Sequence, residues 1–261
     1  MFSLKDCYIG FLNMDHRLDR LESITNQFKR VGINAERTRG KRPEEIDDGT
    51  NPRYQVMWKR TKGALACHYG QCEIMEKALA QNKSAVVFED DAILCEDWQK
   101  RIEYIENFIN TQDPSFDIFW LGGTTHINPS WWHIGGANSD LPDTILTRDA
   151  ECTNDPRIIR TYGAFCTFAY IVNKNSIRKV LDLLEENVHL SMGIDWNMIK
   201  IQPQLKTYML LPGSVKQMDN QSDIGSGWTI FSGFSKLGEY WYQERLENFN
   251  PETFDFGEAK N

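Results

Sequence analysis

Ser84-Ala85-Val86-Val87-Phe88-Glu89-Asp90-Asp91-Ala92 is a short apolar run that ends in three consecutive carboxylates. β-Branched and aromatic residues bounded by polar ones read as a buried strand, with the acids at its carboxyl end. In open α/β sheets ligands bind at that edge. Adjacent acids repel one another and are costly unless solvent, a basic partner or a divalent cation compensates them. Side chains alternate along a strand, so continued extension would turn Glu89 and Asp91 one way and Asp90 the other. Magnesium and manganese take hard oxygen ligands and share them with a substrate's phosphates. Asp91 is the favoured direct ligand, with Glu89 next.

Outward from this stretch the chain alternates strand and helix. Upstream, Leu65, Cys72, Met75, Ala78 and Leu79 recur at helical spacing, which predicts a helix over 63–81 with Thr61 as its cap. Cys7 to Leu12 reads as the first buried strand. A helix follows through Leu18, Leu21, Ile24, Phe28 and Val31, stopped by Gly32, and then a second strand over 33–39. The segment 40–62, with Pro43 and Pro52, has no periodicity and reads as a surface loop. Downstream come a helix over 96–110, a strand over 116–121 closed by Gly122-Gly123, and a long loop holding Trp131 and Trp132. A strand over 162–172, a helix over 175–187 and a strand over 207–211 complete the order. This pattern predicts an α/β fold with a mixed central sheet and flanking helices in a single domain. Residues 1–123, which open as a nucleotide-binding α/β unit, would form its first half, 124–224 its second, and 225–261 an aromatic extension that serves core packing or a homodimer surface.

Composition narrows the function. The chain has 261 residues, 41% hydrophobic and 25% charged, so it can bury a sizeable core. A net charge of -8 argues against a nucleic-acid partner and against adhesion to anionic membranes. Neither a spanning segment nor a signal-peptide layout is evident, which leads to the expectation of a soluble, cytoplasmic protein or one held peripherally at a membrane. The six cysteines form no C-x-x-C pair, and several lie inside apolar patterns and read as buried free thiols rather than zinc ligands. The fingerprints of dinucleotide binding, P-loop hydrolysis, zinc proteolysis and α/β-hydrolases are absent.

Leu12-Asn13-Met-Asp-His-Arg17-Leu-Asp-Arg20, Gly63-Ala-Leu-Ala-Cys67-His68, Val87-Phe-Glu89-Asp90-Asp91-Ala92, Ala169-Tyr170-Ile-Val, Ile194-Asp195 and Gln217 with Ser222-Asp223-Ile224 occur in one order. Together, over about residues 8–224, they resemble glycosyltransferase family 25, which includes bacterial lipooligosaccharide galactosyltransferases and collagen galactosyltransferases. Two positions depart from it: Cys67 stands where a serine is common and Ala64 where a cysteine is. The resemblance implies a GT-A-like, Rossmann-related fold, a nucleotide-sugar donor bound by the half over 1–123, an acceptor side over 124–224 and a divalent metal. By position it implies that Asn13 and Arg17 lie at the nucleotide end of the first strand, Glu89, Asp90 and Asp91 at the metal and diphosphate, and His68 and Gln217 beside the donor.

Sugar transfer from a nucleoside diphosphate needs the leaving group neutralised and, for inversion, a base on the acceptor hydroxyl. Lys62, or a basic residue of the Arg37-to-Arg42 cluster such as Arg39, would assist at the diphosphate. Asp195, set between Met192-Gly193-Ile194 and Trp196, is the favoured base, and a helix cap is its other reading. Asp149 and Glu151 stand in reserve, and Trp131 and Trp132 could face a sugar or anchor their loop. The expected activity is transfer of a hexose, galactose or glucose, from a UDP-sugar to a hydroxyl of a glycan, glycolipid or glycoprotein acceptor, inverting and dependent on Mn2+ or Mg2+. The alternatives are a non-catalytic scaffold of the same fold and a metal-dependent nucleotidyltransferase.

Overall fold

The computed structural model describes residues 1–60, 62–123, 150–155, 157–191, 193–211 and 213–218. Its centre is an eight-stranded mixed sheet, in the order β2-β1-β3-β8-β5-β9-β7-β6. The strands are β1 (Tyr8–Asn13), β2 (Glu36–Arg39), β3 (Ala85–Glu89), β5 (Ile118–Trp120), β6 (Ala150–Cys152), β7 (Ile158–Thr161), β8 (Ala169–Val172) and β9 (Thr207–Leu210). β4 (Ala92–Leu94) and β10 (Val215–Gln217) form a separate antiparallel pair. The helices are α1 (Leu18–Val31), α2 (Gln55–Arg60), α3 (Lys62–Ala80), α4 (Trp98–Thr111), α5 (Ile177–Asn187) and α6 (Ile194–Ile201). Strands from either side of residue 124 interleave in the one sheet.

The alternation of β3 sorts the core. Val87 packs with Ile74, Met75 and Ala78 of α3 and with the apolar faces of α5 and α6. Val86 and Phe88 pack with Ile24 and Phe28 of α1 and with Trp98, Ile102 and Ile105 of α4. Both layers are dry at β3, where Val86, Val87 and Phe88 are 0% exposed. A strand buried on both faces reads as a continuous apolar run, which is why Ala85 to Phe88 carry no polar position.

Register decides where the polar ends go. β1, β2 and β3 run parallel, with Asn13 opposite Arg39 and Leu12 opposite Glu89. β8 runs antiparallel to β3, with Ala169 opposite Phe88, so residues 166–168 arrive at the edge where β3 ends. The N-terminus of α6 follows the same face of the sheet as α3, through the core that Ile194 and Met198 share with Val87.

Several boundaries differ from the sequence reading. Gly32 stops α1 as expected, in the left-handed conformation at φ 72°. The segment 40–62 is not all loop: α2 and two short 3-10 turns over Pro43–Glu45 and Pro52–Tyr54 lie within it. Met57 is fully buried against Leu65 and Val188, a tertiary contact that six helical residues are too few to announce as a periodicity. The predicted strand over 162–172 shortens to β8, because Cys166 takes a left-handed φ of 73° that no strand accommodates. β4 and β10 are three residues each and leave no pattern to read. Among the described residues Cys7, Cys67, Cys72, Cys95 and Cys166 are free thiols, with Cys67, Cys72 and Cys166 buried as expected and Cys7 and Cys95 partly exposed.

The close approach of β1 to α3 depends on Gly10. A Cβ there would stand 2.6 Å from Cγ2 of the fully buried Ile74. Gly10→Ala is expected to lower stability by about 1–3 kcal/mol. Urea unfolding would then show a lower midpoint at unchanged slope.

Candidate active site at the carboxyl edge of the sheet

The three acids do not share one face. Glu89 is the last residue of β3 and continues the side of Val87, towards α3. After it the chain turns at Asp90-Asp91 instead of staying extended, and β4 begins at Ala92. Asp90 therefore points to α1, and the turn carries Asp91 to that side as well. The expectation that Glu89 and Asp91 would face one way fails on this turn.

On the α1 side, Asp90 and Asp91 are both buried. Arg20 Nη1 stands 2.8 Å from Asp90 Oδ1 and 3.4 Å from Asp91 Oδ2. Asn13, buried at the end of β1, donates Nδ2 to Asp90 Oδ2 at 2.7 Å and to the Arg17 carbonyl at 3.1 Å. Its Oδ1 accepts from Arg37 Nε at 2.9 Å. β10 brings Gln217 opposite Ala92, and its Nε2 donates to Asp91 Oδ2 at 3.3 Å. Met218 N–H donates to the Asp91 carbonyl at 2.7 Å. Burial pushes the Asp91 carboxyl up to about 6, against the pull of Arg20.

On the α3 side, Glu89 Oε1 accepts from Gln71 Nε2 at 2.6 Å and lies 3.3 Å from Thr167 Oγ1. Asp195, in the first turn of α6, accepts at Oδ1 from Thr167 N–H at 2.8 Å and Oγ1 at 3.0 Å. It does not cap its helix, whose N-cap is Gly193. Burial drives Glu89 well above the ordinary carboxylate range, reinforced by the charges of Asp91, Asp195 and Asp90. Burial raises Asp195 too, and its bonds from Thr167 oppose the rise. Gln71 and Thr167 are buried, whereas Glu89 and Asp195 stay partly exposed.

The remaining predicted residues lie apart from the two acid clusters. Arg17 binds Asp19 through Nε and Nη2 at 3.0 and 2.9 Å, and it is its carbonyl that meets Asn13. Arg39 ends β2 on the correct edge, but its guanidinium pairs with Glu45 at 2.6 Å. Lys62 lies 3.6 Å from Glu44 and over the Trp58 ring. His68 is buried in α3, with Cys72 Sγ 3.9 Å from Nε2 and Nδ1 without a hydrogen-bond partner. Trp131, Trp132, Asp149, Asp219, Ser222 and Asp223 lie outside the described residues, and Glu151 falls in β6.

Arg20, Gln71 and Thr167 are the site residues that the sequence reading did not single out. Arg20 was present in the Asn13-to-Arg20 stretch, and its signal was an arginine on the apolar stripe of α1 beside Ile24. Gln71 left the same kind of trace, a polar residue between Cys67, Cys72 and Met75 on a buried helix face.

Among the described residues no group of three or more His, Cys, Asp or Glu is arranged around a metal position. One atom nevertheless suits a cation: Asp91 Oδ1 is buried without a hydrogen-bond partner. A buried carboxylate oxygen in that state calls for a donor or a positive ion. Magnesium-like ions often take one or two carboxylates and fill the rest of the shell with water and phosphate. The donor set fits such an ion at Asp91, while Glu89 is engaged by Gln71 and Thr167.

Residues 8–198 match the family described as glycosyltransferase family 25 (LPS biosynthesis protein). No curated protein matches the chain. Among solved structures it is similar to a glycosyltransferase involved in glycosylation of the major capsid of PBCV-1, at 10% identity and a TM-score of 0.40, over 78% of this chain and 83% of that one. It is also similar to mouse xyloside xylosyltransferase 1 in its apo form, at 10% identity and a TM-score of 0.38, over 77% and 80% of the two chains. Likeness at that level bears on neither substrate nor mechanism.

Arg20→Met leaves Asp90 and Asp91 buried without their cation and is expected to cost about 3–5 kcal/mol near pH 8. The loss shrinks as pH falls and the Asp91 carboxyl takes up a proton, which urea unfolding at two pH values would reveal. His68 is pushed down to about 4 by burial. Its folded value lies below the unfolded one of about 6.5, so the neutral imidazole's contribution is present above that pH and lost as pH falls towards 4. The His68 ring resonances should not titrate between about pH 6 and 8 by NMR; titration near 6.5 would place the ring in an open donor pocket.

Proposed function

The chain belongs to glycosyltransferase family 25, and from that premise we propose that it transfers a hexose, galactose or glucose, from a UDP-sugar to a hydroxyl of a glycan or glycosylated acceptor with inversion. The observation that carries the mechanism is the placement of Asp195: a partly exposed acid with a raised pKa, held by Thr167 at the sheet edge across from the acidic turn.

Asp195 takes the proton of the acceptor hydroxyl as its oxygen bonds to the anomeric carbon. The bond from that carbon to the diphosphate oxygen breaks, and its electron pair leaves with UDP. A base works best when its pKa approaches the working pH, and burial moves Asp195 in that direction. Asp91 would hold Mn2+ or Mg2+ through Oδ1, which has no hydrogen-bond partner among the described residues. Such an ion, when bound, offsets charge on the departing diphosphate. Arg20 sets one cation against both Asp90 and Asp91, and Asn13 and Gln217 fix the turn between them. Arg37, a third exposed, binds Asn13 at 2.9 Å and pairs with Asp15 at 2.6 Å, which holds a cation of the Arg37-to-Arg42 cluster beside the acidic turn.

Purified protein should release UDP from UDP-galactose or UDP-glucose in the presence of manganese. Asp195→Asn is expected to lower kcat by roughly 10²- to 10⁴-fold, and Asp91→Ala to lower kcat/KM by about 10²-fold. The acidic limb of the pH profile should lie above the ordinary carboxylate value of about 4. Full turnover by Asp91→Ala with EDTA present would overturn the metal dependence, and full turnover by Asp195→Asn the choice of base.

A further inference from the structure

Thr167 contacts both acids, and its hydroxyl has a single proton to donate. The direction of that proton follows from the groups behind it. Tyr170 Oη, fully buried, donates to Gln71 Oε1 at 2.8 Å, which orients the Gln71 amide with its nitrogen towards β3. Gln71 Nε2 has two hydrogens. One goes to Glu89 Oε1 at 2.6 Å, and the other faces Thr167, with Oγ1 at 3.2 Å and the carbonyl at 3.4 Å. With its hydroxyl oxygen accepting from Gln71, Thr167 has its shortest hydroxyl contact to a carboxylate at Asp195 Oδ1, 3.0 Å against 3.3 Å to Glu89. The Thr167 N–H is turned to the same oxygen at 2.8 Å.

The backbone before Thr167 supports a dedicated role. Cys166 is buried, not a glycine, and held at φ 73°. Such conformations cost of the order of 1–3 kcal/mol and persist where the surroundings over-determine them. Here the turn delivers both donors of the next residue to one carboxylate oxygen.

From this chain of donors we infer that Thr167, oriented through Gln71 by Tyr170, is the positioning residue that holds Asp195 in its working geometry for sugar transfer. The inference rests on the reading of Asp195 as the acceptor base. Thr167 acts through Asp195: its two bonds fix one oxygen of the carboxylate and so set where the other stands. Bonds in such a chain polarise one another, so loss of the distant Tyr170 hydroxyl is felt at Asp195 in weaker form.

The test uses the full chain, manganese chloride and UDP-galactose or UDP-glucose, whichever gives the greater UDP release, with water as acceptor. Thr167→Val keeps the shape and removes the hydroxyl. It should lower kcat roughly ten- to hundredfold with the donor KM within about threefold of wild type, and Thr167→Ser should restore most of the rate. Tyr170→Phe should lower kcat by a few fold, in the same direction, and serves where Thr167→Val folds poorly. Melting temperature is recorded for each variant, since a purely structural role predicts lowered stability with kcat unchanged in the folded fraction. Wild-type kcat in Thr167→Val, with Asp195→Asn inactive, overturns this inference and leaves the base assignment standing. Wild-type kcat in Asp195→Asn overturns the base assignment, and this inference with it.

Discussion

Three neighbouring carboxylates at the end of a buried strand cannot remain together, because each ion removed from water costs several kcal/mol and like charges add to it. The protein resolves this by dividing them. Glu89 keeps the side that β3 gives it, towards α3, and the turn at Asp90-Asp91 sends the next two acids to α1. There Arg20 serves both, and Asn13 supplies an amide to Asp90. The β1-α1 unit thus does more than flank the sheet: Asn13, its last strand residue, and Arg20, in the first turn of its helix, together compensate the acids that follow β3.

Division also separates their chemistry. Asp90 and Asp91 lie against a guanidinium, which favours the ionised form. Among the described residues Glu89 and Asp195 have no cation beside them and lie in the hydrogen bonds of Gln71 and Thr167; burial lifts both above the ordinary range, whereas for Asp91 Arg20 opposes the same rise. Environments that push titratable groups apart are how one site comes to hold a charge stabiliser and a proton acceptor at the same pH. The arrangement is expensive in stability, as polar sites generally are. Cys166 shows the same expense in the backbone, a left-handed non-glycine between the acids and β8.

Much of the layered fold was legible in the chain. The apolar run Ala85 to Phe88 reports burial on two faces, Gly32 ends α1 because a left-handed residue was needed there, and the periodicity of α3 and α5 survives in their buried faces. The short pieces were not legible. α2 is fixed by Met57 docking on Leu65 and Val188, and β4 and β10 by each other, contacts between residues far apart in sequence. His68, Arg39 and Lys62 show a related limit for the site: residue type and rough position drew attention to them, yet their side chains are directed to Cys72, Glu45 and Glu44.

The sequence by itself determined that three acids end a buried strand and that Asp195 begins a later helix, since local pattern sets both. Only the tertiary structure decided how the acids are shared out. The turn after Glu89 reverses the strand's alternation for Asp91, and the partners that settle each carboxylate's charge come from α1, α3, β8 and β10. A pKa depends on what stands within a few ångströms, whichever part of the chain supplies it. That is why Arg20, Gln71 and Thr167 gained their roles only when the sheet brought them to one edge.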